Sequence, residues 1–345
     1  MLALVAVVVA AGLALAQSTA AVPAPLPISA AHCGRMYEGI GGLLNSDAPW
    51  LRAFPEPQRS SILDVLFKPK WAGSLQVLKL EVGGDGHSTI NTESSHMHAE
   101  TEPPSFKRGW VLWLMQEAKL RNPNIKIGGL AWTWPGWTKG SVPKKVGYLT
   151  SWVAGIKREF NYTVDFMGLQ NEGRSIVHGW TTAIHCRPPS DSDTLFFCEG
   201  SITGGNSVFA VALRKSLDEA GFGSTLIDCC DSHDFSFLSQ LKDQSSSFFK
   251  AVGALAVHEP LRNAESVPAA ALATGKPIWS SESYTTYSDS NGGGCWARAI
   301  NWGYVKGNVT RHMVRSSAIC YVSCNSAVSR FLLFVSSVGL FRRGT

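Results

Sequence analysis

Charge is scarce in this chain: Asp, Glu, Lys and Arg make up 17% of its 345 residues. With 45% hydrophobic residues beside them, that composition excludes a disordered chain. The net charge of +5 has no focus, since no basic cluster is denser than Lys144-Lys145 or Arg342-Arg343. Nucleic acid is therefore not an expected partner, and membrane-surface lipids are expected only as transient ones. Long apolar runs are also missing. The longest, Leu2 to Leu15, is too short to span a bilayer. Cysteine and histidine show no zinc-type spacing, and neither GxGxxG nor GxxxxGK[ST] occurs. No cofactor is called for. His96-Met-His98 has no third ligand beside it, so no metal site is expected, and Gly83-Gly-Asp-Gly86 is like a phosphate loop only superficially.

The first residues have a different use. Leu2–Leu15 ends in Ala14-Leu15-Ala16 before Gln17, the length and small-residue exit of a signal peptide over 1–16, followed by an Ala/Pro-rich leader over 17–36. Sequons at Asn161-Tyr-Thr and Asn308-Val-Thr agree with export and make Asn161 and Asn308 candidate glycosylation sites. Of the eight cysteines, 33, 186, 198, 229, 230, 295, 320 and 324, none has an assignable partner. Adjacent Cys229 and Cys230 read as small buried hydrophobes and poor partners for each other.

Past the leader, short apolar strands alternate with amphipathic helices. Strands are expected near 37–42, 75–82, 125–132, 163–172, 225–228, 251–258 and 276–282. Helices are expected near 55–67, up to 122, 146–160, 208–220, 235–249, 263–273 and 295–306. Seven strand–helix units predict a (β/α)8 TIM barrel one unit short of closure, and the chain is long enough for the roughly 250 residues such a fold needs.

Two of these strands end on an acid. Thr163-Val-Asp-Phe-Met-Gly-Leu-Gln-Asn-Glu172 and Lys276-Pro-Ile-Trp-Ser-Ser-Glu282 are apolar runs closed by a lone Glu, at strand 4 and strand 7. The carboxyl ends of barrel strands carry active sites, and these two strands face each other across the mouth. Two carboxyl groups about 5–5.5 Å apart are what a retaining glycosidase needs. Glu172 is assigned as acid/base, with a pKa raised by burial and by the charge of Glu282, and Glu282 as nucleophile. Asn171 is placed to hydrogen-bond a sugar 2-OH. Trp132, at the end of strand 3, offers an indole face for stacking on a sugar ring. His258, ending strand 6, is placed to bridge the acids.

The runs Phe67-Lys-Pro-Lys70, Glu81-Val-Gly-Gly-Asp-Gly86, Thr92-Glu-Ser-Ser-His-Met-His98, Arg121-Asn-Pro-Asn-Ile125, Trp132-Thr-Trp-Pro-Gly-Trp137, Asn171-Glu172, Trp279-Ser-Ser-Glu282 and Gly294-Cys-Trp-Ala-Arg298 together resemble glycoside hydrolase family 59. The likeness covers residues 37–172 and 207–310. It implies a lysosomal or secreted retaining exo-β-galactosidase acting on galactosylceramide and related galactolipids, helped by a saposin-type lipid-presenting protein. It also implies Glu172 as proton donor, Glu282 as nucleophile, and Thr92, Trp132 and Asn171 as lining the galactose pocket.

The departures from the family generate further expectations. Residues 173–205 form an unmatched insertion in the 37–310 catalytic domain, and 311–345 an unmatched tail. Strand 8 and the family's later β-sandwich and lectin-like domains are expected to be missing, with Cys295 deprived of its usual disulfide partner. Two other functions stand beside the galactosidase: a non-catalytic truncated splice form or fragment, and a related barrel glycosidase acting on a glucosyl lipid or a polysaccharide.

Overall fold

The eight strands are short, and almost every residue in them is buried. The computed structural model describes residues 34–44, 48–88, 91–172, 205–261, 266–283 and 290–315. The expected signal peptide, nearly all of the leader and the 173–205 insertion, and the tail beyond 315 lie outside them. In chain order the elements are β1 (Gly39–Leu44), α1 (Ala48–Arg52), α2 (Gln58–Phe67), β2 (Val77–Glu81), α3 (Val111–Arg121), β3 (Lys126–Leu130), α4 (Val142–Phe160), β4 (Phe166–Gly168), α5 (Gly205–Glu219), β5 (Leu226–Ser232), α6 (Ser247–Ala251), β6 (Ala254–His258), α7 (Ala269–Leu272), β7 (Ile278–Ser283), α8 (Ser290–Gly307) and β8 (Val309–Arg315).

All eight strands pair in parallel and in sequence order, and β1 pairs with β8 through Gly41 and Met313, closing the barrel. The open, seven-strand barrel expected from the sequence is therefore corrected. The strand thought to be absent is Val309-Thr-Arg-His-Met-Val-Arg315, which follows α8 directly. It escapes a search for apolar runs because three of its residues are basic. Inside the barrel Arg311 is neutralised in place: its guanidinium stacks 3.8 Å over the Trp279 ring and 5.1 Å over Phe166, with Nη2 3.5 Å from Glu38 Oε1. With Val77, Ala254 and Met313, the Phe166 and Trp279 rings form a packed apolar layer inside the barrel. A larger apolar core lies between the strands and the surrounding helices.

The helices begin and end where local chemistry allows. Ser141 caps α4 by accepting the Lys144 N–H at 3.3 Å, and Pro143 sits in its first turn. Asn161 ends the helix in a left-handed conformation at φ 57°. The single helix expected over 235–249 is two pieces, a 3-10 turn at Ser236–Leu241 and α6. Between them Asp243 Oδ1 accepts the Ser245 N–H at 2.9 Å, which turns the chain.

Two expectations about small residues also resolve. The glycines after β2 serve a backbone crossing rather than a phosphate: a Cβ on Gly84 would lie 2.2 Å from the Thr133 carbonyl oxygen, and one on Gly83 2.2 Å from that of Ser94. Cys229 and Cys230, expected to be unpaired hydrophobes, are bonded to each other through sulfur at a point where β5 shifts register on β6. Cys295 is free and exposed.

Candidate active site

The mouth of the barrel is built where β4, β5, β6 and β7 end. After Gly168 the chain runs through Leu169-Gln-Asn171, where the Asn171 N–H donates to the Ala131 carbonyl at 2.9 Å. The Glu172 N–H then donates to the Asp231 carbonyl at 2.8 Å, tying the end of β4 to the end of β5. Glu172, Asp231 and Glu259 all take positive φ, 47°, 49° and 47°. Non-glycine residues in this region cost on the order of 1 kcal/mol each, and such residues concentrate at functional sites.

These turns bring three of the sequence-predicted residues together. His258 Nδ1 is 3.0 Å from Glu172 Oε1, and His258 Nε2 is 3.8 Å from Glu282 Oε2. The imidazole thus stands between the two acids. Asn171 adjoins Glu172, and its Oδ1 is buried without a hydrogen-bond partner. Trp132 is half-buried just beyond β3, and Thr92 is exposed in the loop after β2, in an isolated antiparallel bridge with His87. Both sit on the rim by position, without a described hydrogen bond to either acid. Of the sequon residues, Asn161 is exposed and its Oδ1 accepts the Lys157 ammonium at 2.8 Å, whereas Asn308 is half-buried between α8 and β8. His96 and His98 do not converge as ligands. His96 is buried against Tyr148 and Phe106, and His98 Nδ1 lies 2.9 Å from Asp85 Oδ2.

Beneath the acids lies a charged layer that the sequence reading missed. Lys79 on β2 is wholly buried, bonds Asp231 and lies 3.4 Å from Asp228 Oδ2. His258 Nε2 lies 3.7 Å from Asp231 Oδ1, too far for a hydrogen bond but close for an electrostatic contact. Two more residues act from the rim. His233, after β5, puts Nε2 3.2 Å from Glu172 Oε1, and Arg315, the last residue of β8, puts Nε 3.3 Å from Glu282 Oε1. Lys79 and Asp228 each interrupt an apolar run, but so does any outward-facing charge on an alternating strand, and Asp231 is followed by polar Ser232.

The electrostatics separate the two acids. Burial raises the Glu172 pKa, but the His258 hydrogen bond and the charges of His258, His233 and Arg315 outweigh it and hold the carboxyl below its ordinary value. The raised pKa expected for Glu172 is corrected accordingly. It is Glu282 that burial pushes up, against the pull of His258 and Arg315. For His258 burial works against the charged ring, yet Asp231, Glu172 and Glu282 overcome it and carry the imidazole to about 9. Lys79 is penalised by burial and held above its usual value by Asp231 and Asp228. Among the described residues, Glu172, His233 and His258 are also a set whose ligand atoms lie within 4.8 Å of one another.

Comparison with known proteins bears on the family and the fold. The profile of Glycosyl hydrolase family 59 matches residues 37–333. Galactocerebrosidase of Danio rerio is 38% identical over 286 residues, 80% of this chain and 38% of that protein. Galactocerebrosidase of Homo sapiens is 37% identical over 287 residues, 80% of this chain and 37% of that protein. The chain thus spans well under half the length of these relatives. Among solved structures, SrfJ from Salmonella typhimurium superposes with a TM-score of 0.63 at 16% identity, covering 83% of this chain and 66% of that one. The catalytic domain of xylanase C, a GH30 enzyme from Talaromyces cellulolyticus, gives 0.55 at 18% identity, covering 81% and 68%. At such identities the likeness is one of fold.

Proposed function

Because the chain belongs to glycosyl hydrolase family 59, we propose that it is the catalytic barrel of a retaining exo-β-galactosidase that releases galactose from galactosylceramide and related galactolipids. The observation that carries this reading is the placing of Glu172 and Glu282, from β4 and β7, on the two nitrogens of His258 at 3.0 and 3.8 Å.

In the first half of the reaction, Glu282 attacks the anomeric carbon and forms a glycosyl-enzyme ester while Glu172 gives a proton to the departing ceramide oxygen. Glu282 attacks as a carboxylate. Arg315 at 3.3 Å supplies the counter-charge that its burial requires. In the second half Glu172 takes a proton from the attacking water, and the ionised form favoured by His258 and His233 is the form needed for that step. For the first half it must be protonated, which an acidic compartment favours. A lysosomal or secretory-pathway location, reached through the 1–16 signal peptide, fits that need. Asn171 is assigned to the sugar 2-OH, with Thr92 and Trp132 lining the galactose pocket. A saposin-type protein presenting the lipid is the proposed partner.

A mechanism-based β-galactosidase inactivator tests the reading. The full chain is labelled and its peptides mapped, and an adduct on the Glu282 peptide is expected. Protein that is folded and protease-resistant but unlabelled would overturn it in favour of a non-catalytic chain. A panel of galactosyl and glucosyl ceramides then decides the sugar.

A further inference from the structure

We propose that Glu172, His233 and His258 form a binding site for a divalent transition-metal ion such as zinc, and that the ion, once bound, silences the acid/base. The donor set is two imidazole nitrogens and one carboxylate oxygen, a combination found in three-ligand zinc centres that keep a fourth position open. Its spacing suits the ion. Around tetrahedral zinc with bonds near 2.0–2.1 Å, neighbouring ligand atoms stand about 3.3 Å apart. Here Glu172 Oε1 is 3.0 Å from His258 Nδ1 and 3.2 Å from His233 Nε2, with the remaining pair inside 4.8 Å. The pair that must draw closer is the two imidazoles, and His233 is the exposed one of them.

The two rings approach Glu172 from different sides, their planes 87° apart and their centroids 5.7 Å apart. Carboxyl groups surround the His258 ring. His258 presents its other nitrogen to Asp231 at 3.7 Å and Glu282 at 3.8 Å, which sets negative charge beside the ring without a hydrogen bond to it. Four carboxyl groups, Glu172, Asp228, Asp231 and Glu282, share this region with Lys79, Arg315 and the His258 ring, whose proton a bound metal ion displaces. Soft or borderline metals are favoured over magnesium by the imidazoles.

Metal binding stands on this geometry alone, while its inhibitory effect rests on the proposed role of Glu172. Two measurements keep them apart. Titration calorimetry of zinc chloride into the purified full chain at neutral pH is expected to give one ion per chain. His233→Asn should weaken it tenfold or more, His233→Cys should keep it because a thiolate replaces the imidazole, and magnesium should give no binding. Absence of zinc binding, or zinc binding unchanged in His233→Asn, overturns the site. In parallel, galactoside hydrolysis should fall in proportion to zinc occupancy and return with a chelator. Zinc that binds with the expected variant pattern but leaves hydrolysis intact overturns the inhibition. A chain without hydrolysis at all defeats the proposed function and leaves the calorimetry to decide the site.

Discussion

Arg315 Nε lies 3.3 Å from Glu282 Oε1, so the last residue of the closing strand serves the acid at the end of the strand beside it. Replacing Arg315 by Met leaves Glu282 buried with its nearest rim cation gone, and the carboxylate becomes harder to form. The acidic limb of the kcat/KM profile is expected to move to higher pH, with turnover down on the order of 100-fold. Arg315→Lys should recover part of both. An unmoved pH profile would show that Arg315 merely closes the rim.

The two acids are expected to fail differently. Glu172→Gln removes proton donation, worth roughly 10²–10⁴-fold, so galactosylceramide hydrolysis should fall by about that factor. An aryl galactoside with a stable leaving group should form the glycosyl-enzyme at nearly the normal rate and then accumulate it, for want of a base. Glu282→Gln should abolish both reactions alike. Single-turnover kinetics with the two substrates separates these patterns, and equal losses in Glu172→Gln would count against its role.

Lys79 is the charge on which the buried layer balances. It and both of its carboxylate partners are inaccessible to solvent. Breaking a buried ionic group by removing one partner typically costs about 3–5 kcal/mol, which in a barrel of this size corresponds to a Tm lower by roughly 10 °C. Thermal unfolding of Lys79→Met should show that loss. Adding Asp231→Asn should regain part of it, because Asp231, held below its ordinary value, is the partner left ionised.

His312, on β8, is almost wholly buried, with Nδ1 3.1 Å from Tyr37 Oη. Burial drives its pKa down to about 4. The native ring therefore stays neutral between about 6.5 and 4, while the unfolded ring takes a proton. Stability is complete above the unfolded value and declines as pH falls through this window, by about 3 kcal/mol for this residue. Urea unfolding at pH 7 and pH 4.5 should show the decline, and His312→Gln should flatten it. An equal acid loss in both proteins would rule His312 out as its source.

What could be read from the sequence, and what could not, follows from where each residue finds its partner. Glu172 and Glu282 are conspicuous because each ends an apolar run, so their strands and their placement at the mouth are set by local pattern. Arg311 hides β8 because what makes it acceptable, the stacking on Trp279 of β7 and the charge of Glu38 just ahead of β1, is supplied only when the barrel closes. Lys79, Asp228 and Asp231 look like ordinary alternation until the barrel turns them inward toward one another. The Glu172 pKa could not be read at all. Burial, the visible part, pushes it up, while His258 and His233 reverse the direction and meet it only in the folded mouth.

The pairing of β1 with β8 has a consequence during synthesis. Gly39 leaves the ribosome about 270 residues before Val309, which at roughly 5–20 residues per second is a wait of tens of seconds. Throughout it β1 presents an unpaired edge, and unpaired strand edges invite association with other chains. That edge is covered only once β8 emerges. Ribosome pauses placed before residue 309 should be more harmful to its yield than pauses after 315.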